Sequence, residues 1–213
     1  MKKITKTLWR RFEKIVFLTI KNILKDAKLD IAKEQLTEAT HDGGYDGSFL
    51  VPCITDKGCS QNKGYYKILF EAKLRSNLDK DLPLNDFSKA LVIAINVDSD
   101  ALIVATNLKL SETTKEHLKD FSFKTGLKTY YLSPYYIDTW IKNHNSTKYK
   151  TEDETIRNLL KNSSAYSSSQ IPLESLKKDL EELSKELPPL FGNKKKRSLR
   201  ELVEEFNAAN GII

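Results

Sequence analysis

Residues 101–106 read Ala-Leu-Ile-Val-Ala-Thr, six positions without a charge, and this run constrains the fold more than any other stretch of the chain. An uninterrupted apolar run of this length is typical of a β-strand that is buried on both faces. Such a strand lies inside a sheet beside parallel neighbours, and helices cover that sheet. The sequence therefore predicts an α/β fold, a mixed central sheet flanked by helices.

Other periodic segments supply the remaining elements. Apolar residues at intervals of three and four predict an amphipathic helix over residues 8–24. Short apolar strands at 48–51 and 65–74, separated by a polar loop, predict a hairpin. Ser111 and Gly126 stand where a later helix should begin and end, and Ser133 is predicted to cap the helix after it. Further helices are predicted at 86–96, 111–125, 133–143 and 152–161, and further strands at 101–106 and 128–132. The stretch between the first helix and the hairpin gives no clear signal.

The composition changes in the last third of the chain. Residues 162–170 read Asn-Ser-Ser-Ala-Tyr-Ser-Ser-Ser-Gln, a polar composition typical of linkers between domains. We therefore predict a folded domain over residues 1–161, a Ser-rich linker over 162–170 and a helical extension over 171–213. The extension is too short for a core of its own, so we expect it to serve dimerisation or to connect to a further domain.

Composition excludes several classes of protein. A hydrophobic fraction of 39% is too high for a disordered chain, and every apolar stretch, including the one within residues 15–20, is far shorter than the ~20 residues that span a bilayer. Charged residues interrupt the early apolar run that a signal peptide requires, so we expect a cytoplasmic protein. The two cysteines, Cys53 and Cys59, are expected to be reduced thiols. A zinc site that combined them with His41 would lack a fourth ligand.

The first 29 residues hold the entire positive charge excess of the chain. They contain nine Lys and Arg against two acidic residues, a net charge of +7, whereas the whole chain carries +6. A basic helix suits contact with phosphates, contact with an anionic membrane surface, or simple solvation. Charge alone does not separate these interpretations.

An acidic and a basic residue lie on the same face of the second strand of the predicted hairpin. Side chains alternate along a strand, so Glu71 and Lys73 project from one face about 7 Å apart. Asp46 opens the first strand after a glycine-rich turn, and antiparallel pairing brings its carboxylate towards Glu71. Two close carboxylates are unfavourable without a cation, and Mg²⁺ takes one or two carboxylates together with waters and phosphate oxygens. Asp42, within the turn, is either a further ligand or a turn residue, and the turn is favoured.

This arrangement suits hydrolysis of a phosphodiester, because the metal activates water and Lys73 neutralises charge on phosphorus. Plainer interpretations stay open. The E-x-K pattern also occurs as an ordinary ion pair on an exposed sheet face. Glu13, at the edge of the buried stripe of the first helix, reads from the residues alone as a surface glutamate that pairs with Arg10 or Lys14.

Taken together, these features resemble the PD-(D/E)xK restriction-endonuclease-like nucleases, and specifically the Mrr-like branch found at the N-terminus of bacterial antiphage defence proteins. The motifs that carry the resemblance are Phe12-Glu13, Asp42-Gly43-Gly44-Tyr45-Asp46-Gly47, Phe70-Glu71-Ala72-Lys73 and Ile103-Val104-Ala105-Thr106-Asn107. The proline of the family name is absent before Asp46, where Tyr45 stands, and Mrr-like members usually lack this proline as well.

The resemblance implies that Asp46 and Glu71 bind Mg²⁺, which Mn²⁺ can replace, that Lys73 is catalytic, and that Glu13 supports the site. The implied activity is endonucleolytic hydrolysis of double-stranded DNA, leaving a 5′-phosphate, as the effector of a restriction or antiphage system. A non-catalytic nucleic-acid-binding or assembly module on the same fold is the competing class. A junction resolvase or an RNA endonuclease would use the same residues.

Candidate phosphate contacts come from the first helix and the second hairpin strand, and they are Arg10, Arg11, Lys14, Lys67 and Arg75. Because nucleases of this kind often cut as dimers, we expect a homodimer or a higher homo-oligomer, and no membrane partner. No phosphate-binding G-x-x-x-x-G-K-[ST] motif occurs in the chain. A regulatory NTPase domain would therefore lie beyond residue 213.

Overall fold

Five strands form one sheet in the part of the chain that the computed structural model describes, residues 4–37, 44–52, 65–144, 146–166 and 178. The strands are β1 (Lys33–Leu36), β2 (Gly47–Pro52), β3 (Tyr65–Lys73), β4 (Ala101–Thr106) and β5 (Lys128–Leu132). The helices are α1 (Lys6–Asp26), α2 (Ser88–Asn96), α3 (Glu112–Thr125), α4 (Pro134–Asn143) and α5 (Lys150–Lys161), with short 3₁₀ turns at Leu84–Asp86 and Thr147–Tyr149.

The strands lie in the sheet in sequence order, and the sheet is mixed. β1 pairs antiparallel with β2, and β2 pairs antiparallel with β3. β3, β4 and β5 are parallel to one another. All six residues of β4 are buried, as the uninterrupted apolar run predicts. The predicted α/β class, with a mixed central sheet flanked by helices, is confirmed.

Helices cover both faces of the sheet, and each face has its own core. On one face α1, α4 and α5 pack against β2, β3 and β4, and the ring of Phe17 stacks on that of Phe49 with 5.0 Å between centroids. On the other face α2 and α3 pack against Leu69 and Leu102. In the described residues, no helix combines the length and hydropathy of a membrane span.

Residue type explains both ends of α3. The Oγ of Ser111 accepts a hydrogen bond from the N–H of Thr114 at 3.1 Å, which caps α3. Gly126 ends that helix at φ +78°, a left-handed conformation that glycine adopts without steric penalty. Ser133 occupies the N-cap position of α4, but its side chain makes no capping hydrogen bond. The predicted cap at Ser133 is therefore wrong in its contact, although the helix starts where expected.

A buried ion pair joins α1 to α5. The Nε of Arg11 donates to Asp153 Oδ1 at 2.7 Å, and its Nη2 donates to Oδ2 at 2.8 Å. The two side chains are only 10% and 4% exposed. The guanidinium also lies 4.4 Å from the ring centroid of Tyr149. Arg11 therefore connects two helices across the core.

The segment predicted as a linker, residues 162–170, begins with packed residues. Ala165 is buried, and the hydroxyl of Tyr166 donates to Asp138 Oδ2 on α4 at 2.9 Å. The rest of the segment and, apart from Lys178, the whole predicted extension lie outside the described residues. The division of the chain into domains therefore stays a prediction.

Candidate active site

The backbone of Asp46 is hydrogen-bonded on both sides. Its N–H donates to the carbonyl of Phe70 on β3 at 2.9 Å. Its carbonyl accepts from both the N–H and the Oγ1 of Thr37, the residue that follows β1, each at 2.9 Å. Asp46 is thus fixed between two strands at the point where β2 begins.

The carboxylate of Asp46 is fixed as well. Its Oδ2 accepts a hydrogen bond from the backbone N–H of Ala72 at 2.6 Å. Ala72 lies between Glu71 and Lys73 in the sequence, and continuing the β2–β3 register places Asp46 opposite Glu71. The antiparallel pairing expected from the sequence therefore brings the aspartate to the E-x-K segment.

Gly47 leaves the space that this arrangement needs. A Cβ at this position would lie 2.4 Å from the ring of Phe70 and 2.6 Å from the carbonyl oxygen of Gln35, closer than real Cβ atoms approach. We expect Gly47→Ala to lower the free energy of unfolding by about 1–3 kcal/mol, because the ring or the strand must shift. Urea unfolding would measure the change, with Ser48→Ala in the same strand as the control. Equal stability of the two variants would contradict this account of Gly47.

Lys73 and Glu71 form a shielded ion pair. The Nζ of Lys73 contacts Glu71 Oε1, and the two side chains are 17% and 7% exposed. The same ammonium lies 5.6 Å from the ring centroid of Trp9 on α1. The alternative of an ordinary ion pair on an exposed sheet face is therefore wrong, because the pair is enclosed.

Three carboxylates share the electrostatics of this site. Burial and, after it, the charge of Asp46 raise the pKa of Glu71 to about 7, although Lys73 opposes both effects. Burial, followed by the charge of Asp46, raises the pKa of Glu13 to about 7. Burial also raises the pKa of Asp46, against the hydrogen bond from Ala72. The half-buried Glu13 therefore interacts electrostatically with this site as well as with Arg10.

The donor set fits Mg²⁺ better than a metal held by protein ligands alone. Among the residues that the structure describes, no group of three or more His, Cys, Asp or Glu side chains could hold a metal ion. Mg²⁺ needs only one or two carboxylates, since waters and substrate phosphates complete its six ligands. Asp46 engages Ala72 through Oδ2, which leaves Oδ1 for a cation. The raised pKa values of Asp46 and Glu71 mark carboxylates that a cation would stabilise.

A buried amide holds the chain where it leaves β3. Asn107, which follows β4, is fully buried, its Nδ2 donates to the carbonyl of Arg75 at 2.7 Å, and its Oδ1 accepts from the N–H of Arg75 at 2.8 Å. Arg75 is two residues beyond Lys73, so this clamp fixes the end of β3. Sequence reasoning quoted Asn107 without giving it a role, and it missed Thr37 and Trp9. The position of Trp9 in the sequence could have indicated its role, because it precedes Glu13 by one helical turn and so lies on the same side of α1.

Two predicted phosphate contacts, Arg10 and Lys14, are exposed on α1. Lys14 Nζ lies 4.8 Å from the ring centroid of Phe17, and the remaining candidates are held by hydrogen bonds. Lys67 Nζ donates to the carbonyl of Val97 at 3.1 Å, and Arg75 Nη2 donates to Asp86 Oδ2 at 2.6 Å. For Arg11 the buried ion pair to α5 replaces the expected phosphate contact with a structural role.

The candidates that lie outside the described residues are His41, Asp42, Cys53 and Cys59, and their roles stay predictions.

Comparison with known proteins gives limited similarity. No protein-family model matches the chain, and no curated protein is significantly similar to it. Among solved structures, the chain is similar to the MspJI restriction endonuclease in complex with a 27-mer oligonucleotide, with a TM-score of 0.48 and 12% sequence identity. The alignment covers 72% of this chain and 32% of that chain, so this chain spans about a third of the other protein's length. Membership of the Mrr-like branch therefore stays an expectation from the motifs.

Proposed function

We propose that the chain is a Mg²⁺-dependent endonuclease that hydrolyses phosphodiester bonds in double-stranded DNA. One observation carries the proposal: the Asp46 carboxylate accepts a hydrogen bond from the N–H of Ala72, the residue between Glu71 and Lys73, whose side chains form a shielded ion pair. Paired carboxylates call for a divalent cation, and an adjacent lysine suits a substrate whose reaction builds negative charge on phosphorus. A phosphodiester meets both conditions.

The residues divide the work by their chemistry. Asp46 and Glu71 would hold the metal, which when bound polarises a phosphoryl oxygen and lowers the pKa of an attacking water. The Lys73 ammonium stabilises the charge that develops on the phosphoryl oxygens. Hydrogen bonds with Thr37, which follows β1, and with β3 keep Asp46 in position, so the ligand geometry is in place before substrate arrives. Glu13 adds a third carboxylate charge beside these groups.

An exposed basic face of α1 supports DNA as the substrate. Lys6, Arg10 and Lys14 are all exposed and lie four residues apart, so they line one side of the helix. Arg10 lowers the pKa of Glu13, which supports a position of this face beside the site. Phosphate contacts of this kind make affinity depend steeply on salt, by about 0.9 in log K per log salt for each contact.

The motif resemblance also supports a proposal about the biological role of the chain. We place the activity in bacterial defence, as the effector of a restriction or antiphage system. Because one active site hydrolyses one strand, cutting of a duplex calls for two copies, so a homodimer or higher homo-oligomer is part of the proposal. A regulatory NTPase domain, if it belongs to this system, would control that association.

The test is cleavage by the purified chain. We expect supercoiled DNA to be nicked and then linearised in Mg²⁺ or Mn²⁺ and to stay intact in EDTA, over a series of protein concentrations that drives association. Parallel reactions contain linear duplex, a four-way junction and single-stranded RNA. Metal-dependent cutting of RNA or junctions alone would assign one of those substrates instead. Binding without cutting at every concentration would favour the non-catalytic module.

A further inference from the structure

The ammonium of Lys73 lies between a carboxylate and an aromatic ring. On one side its Nζ contacts Glu71 Oε1, and on another it lies 5.6 Å from the ring centroid of Trp9. A lysine within about 6 Å of an aromatic centroid is attracted by the negative face of the ring. Groups from two elements, β3 and α1, therefore hold the same cation.

The indole of Trp9 is not placed by a hydrogen bond. Its Nε1 is buried and has no hydrogen-bond partner among the described residues. A buried indole N–H usually donates to a partner, because tryptophan has this single polar group. Packing of the ring, rather than its polar group, therefore determines where Trp9 lies. Trp9 contacts the site through its ring, which lies beside Lys73.

The two partners of Lys73 differ in what a metal ion does to them. A cation bound to Glu71 takes over the carboxylate that the ammonium contacts in this structure. A second carboxylate in place of Trp9 would compete for the same cation, whereas an aromatic ring carries no net charge and is a poor ligand for Mg²⁺. An aromatic ring can therefore retain the lysine without disturbing the metal.

We propose that Trp9 is the positioning residue for Lys73, whose ammonium its ring keeps at the site once Glu71 is engaged by metal. This inference rests on the proposed nuclease function for its catalytic consequence, but the Trp9–Lys73 contact can be measured without catalysis. Trp9 acts through Lys73 and touches no reacting atom.

The catalytic test compares Trp9→Leu, which removes the ring, with Trp9→Phe, which keeps an aromatic face and loses no protein hydrogen bond. At saturating DNA and Mg²⁺ we expect the single-turnover rate constant to fall about tenfold in Trp9→Leu and no more than about threefold in Trp9→Phe, the range of cation–π contacts. The Mg²⁺ concentration for half-maximal rate should not change. Trp140→Leu, at the other tryptophan, which stacks on His144 beyond the end of α4, is the matched control and should cleave normally.

The second test needs no cleavage. A double-mutant cycle of Trp9→Leu and Lys73→Met, measured by urea unfolding in Mg²⁺, should show a coupling of about fivefold in the unfolding equilibrium constant. Trp9→Met provides another ringless variant if the leucine variant does not fold. Additive effects in the cycle, or equal rates for the leucine and phenylalanine variants, would overturn the role of Trp9. Coupling in a chain that cuts no nucleic acid would leave the contact standing and refute the nuclease proposal instead.

Discussion

Lys73→Met, Glu71→Gln and Asp46→Asn are each expected to slow Mg²⁺-dependent DNA cleavage by about 100- to 1,000-fold, the loss typical of removing one electrostatic group from an active site. The methionine keeps most of the length of the lysine and removes its charge. The two amides keep the shape of the carboxylates, and the asparagine that replaces Asp46 can still accept the Ala72 hydrogen bond through its side-chain oxygen. Losses would therefore reflect charge rather than misfolding.

Metal binding separates the three variants. Asp46→Asn and Glu71→Gln should weaken Mg²⁺ binding, measured by titration calorimetry or by the rise in thermal midpoint on adding the metal. Lys73→Met should bind Mg²⁺ at least as tightly as the parent chain, because it loses a competing cation. A suitable control is Lys115→Met, which removes an exposed Lys–Glu pair on α3. Full cleavage by Lys73→Met would show that the lysine has no part in the reaction.

Arg11→Met is expected to lower the free energy of unfolding by about 3 kcal/mol, the usual consequence of leaving one partner of a buried ion pair without the other. The carboxylate that remains, Asp153, is only 4% exposed and loses both hydrogen bonds from the guanidinium. Arg11 also gives up its contact with the ring of Tyr149. Chemical denaturation at pH 7 would measure the change.

Two further variants define the mechanism of that loss. Replacing the pair together, Arg11→Met with Asp153→Leu, should recover much of the stability, since no buried charge is left alone. Arg10→Met, one position away but exposed, should leave stability nearly unchanged, weaken DNA binding, and reduce the salt dependence of log K by about 1. A stable Arg11→Met variant with the DNA-binding defect would restore Arg11 as a phosphate contact.

The sequence predicted the helices and strands whose own residues carry a clear apolar pattern. β4 and β5 have the predicted bounds, and α1 extends the predicted helix by two residues at each end. β1 was missed because Lys33, Glu34 and Gln35 are exposed and polar, so no apolar alternation marks them. Pairing with β2, where Lys33 lies opposite Leu50, makes this segment a strand. A strand that forms because it pairs with a neighbouring strand is difficult to predict from its own residues.

The candidate site divides in the same way. Asp46, Glu71 and Lys73 lie in one hairpin, so turn chemistry and strand alternation were enough to bring them together. The role of Arg11 could not be predicted, because its partner Asp153 is 142 residues away and no local pattern links the two. Adjacent basic residues on α1 look alike in the sequence, and only packing against α5 separates the structural Arg11 from the exposed Arg10.

The hydrogen bonds around Asp46 also determine when, during folding, an active site can exist. Its backbone is held by Thr37 beyond β1 and by Phe70 on β3, and its carboxylate is held by Ala72. Phe70 and Ala72 are 24 and 26 residues from Asp46, so their contacts form only after the loop between β2 and β3 has closed. A nascent or partly folded chain therefore carries the acidic and basic residues without the geometry that the proposed hydrolysis requires. Under the proposed function, no DNA is cut until the sheet is complete.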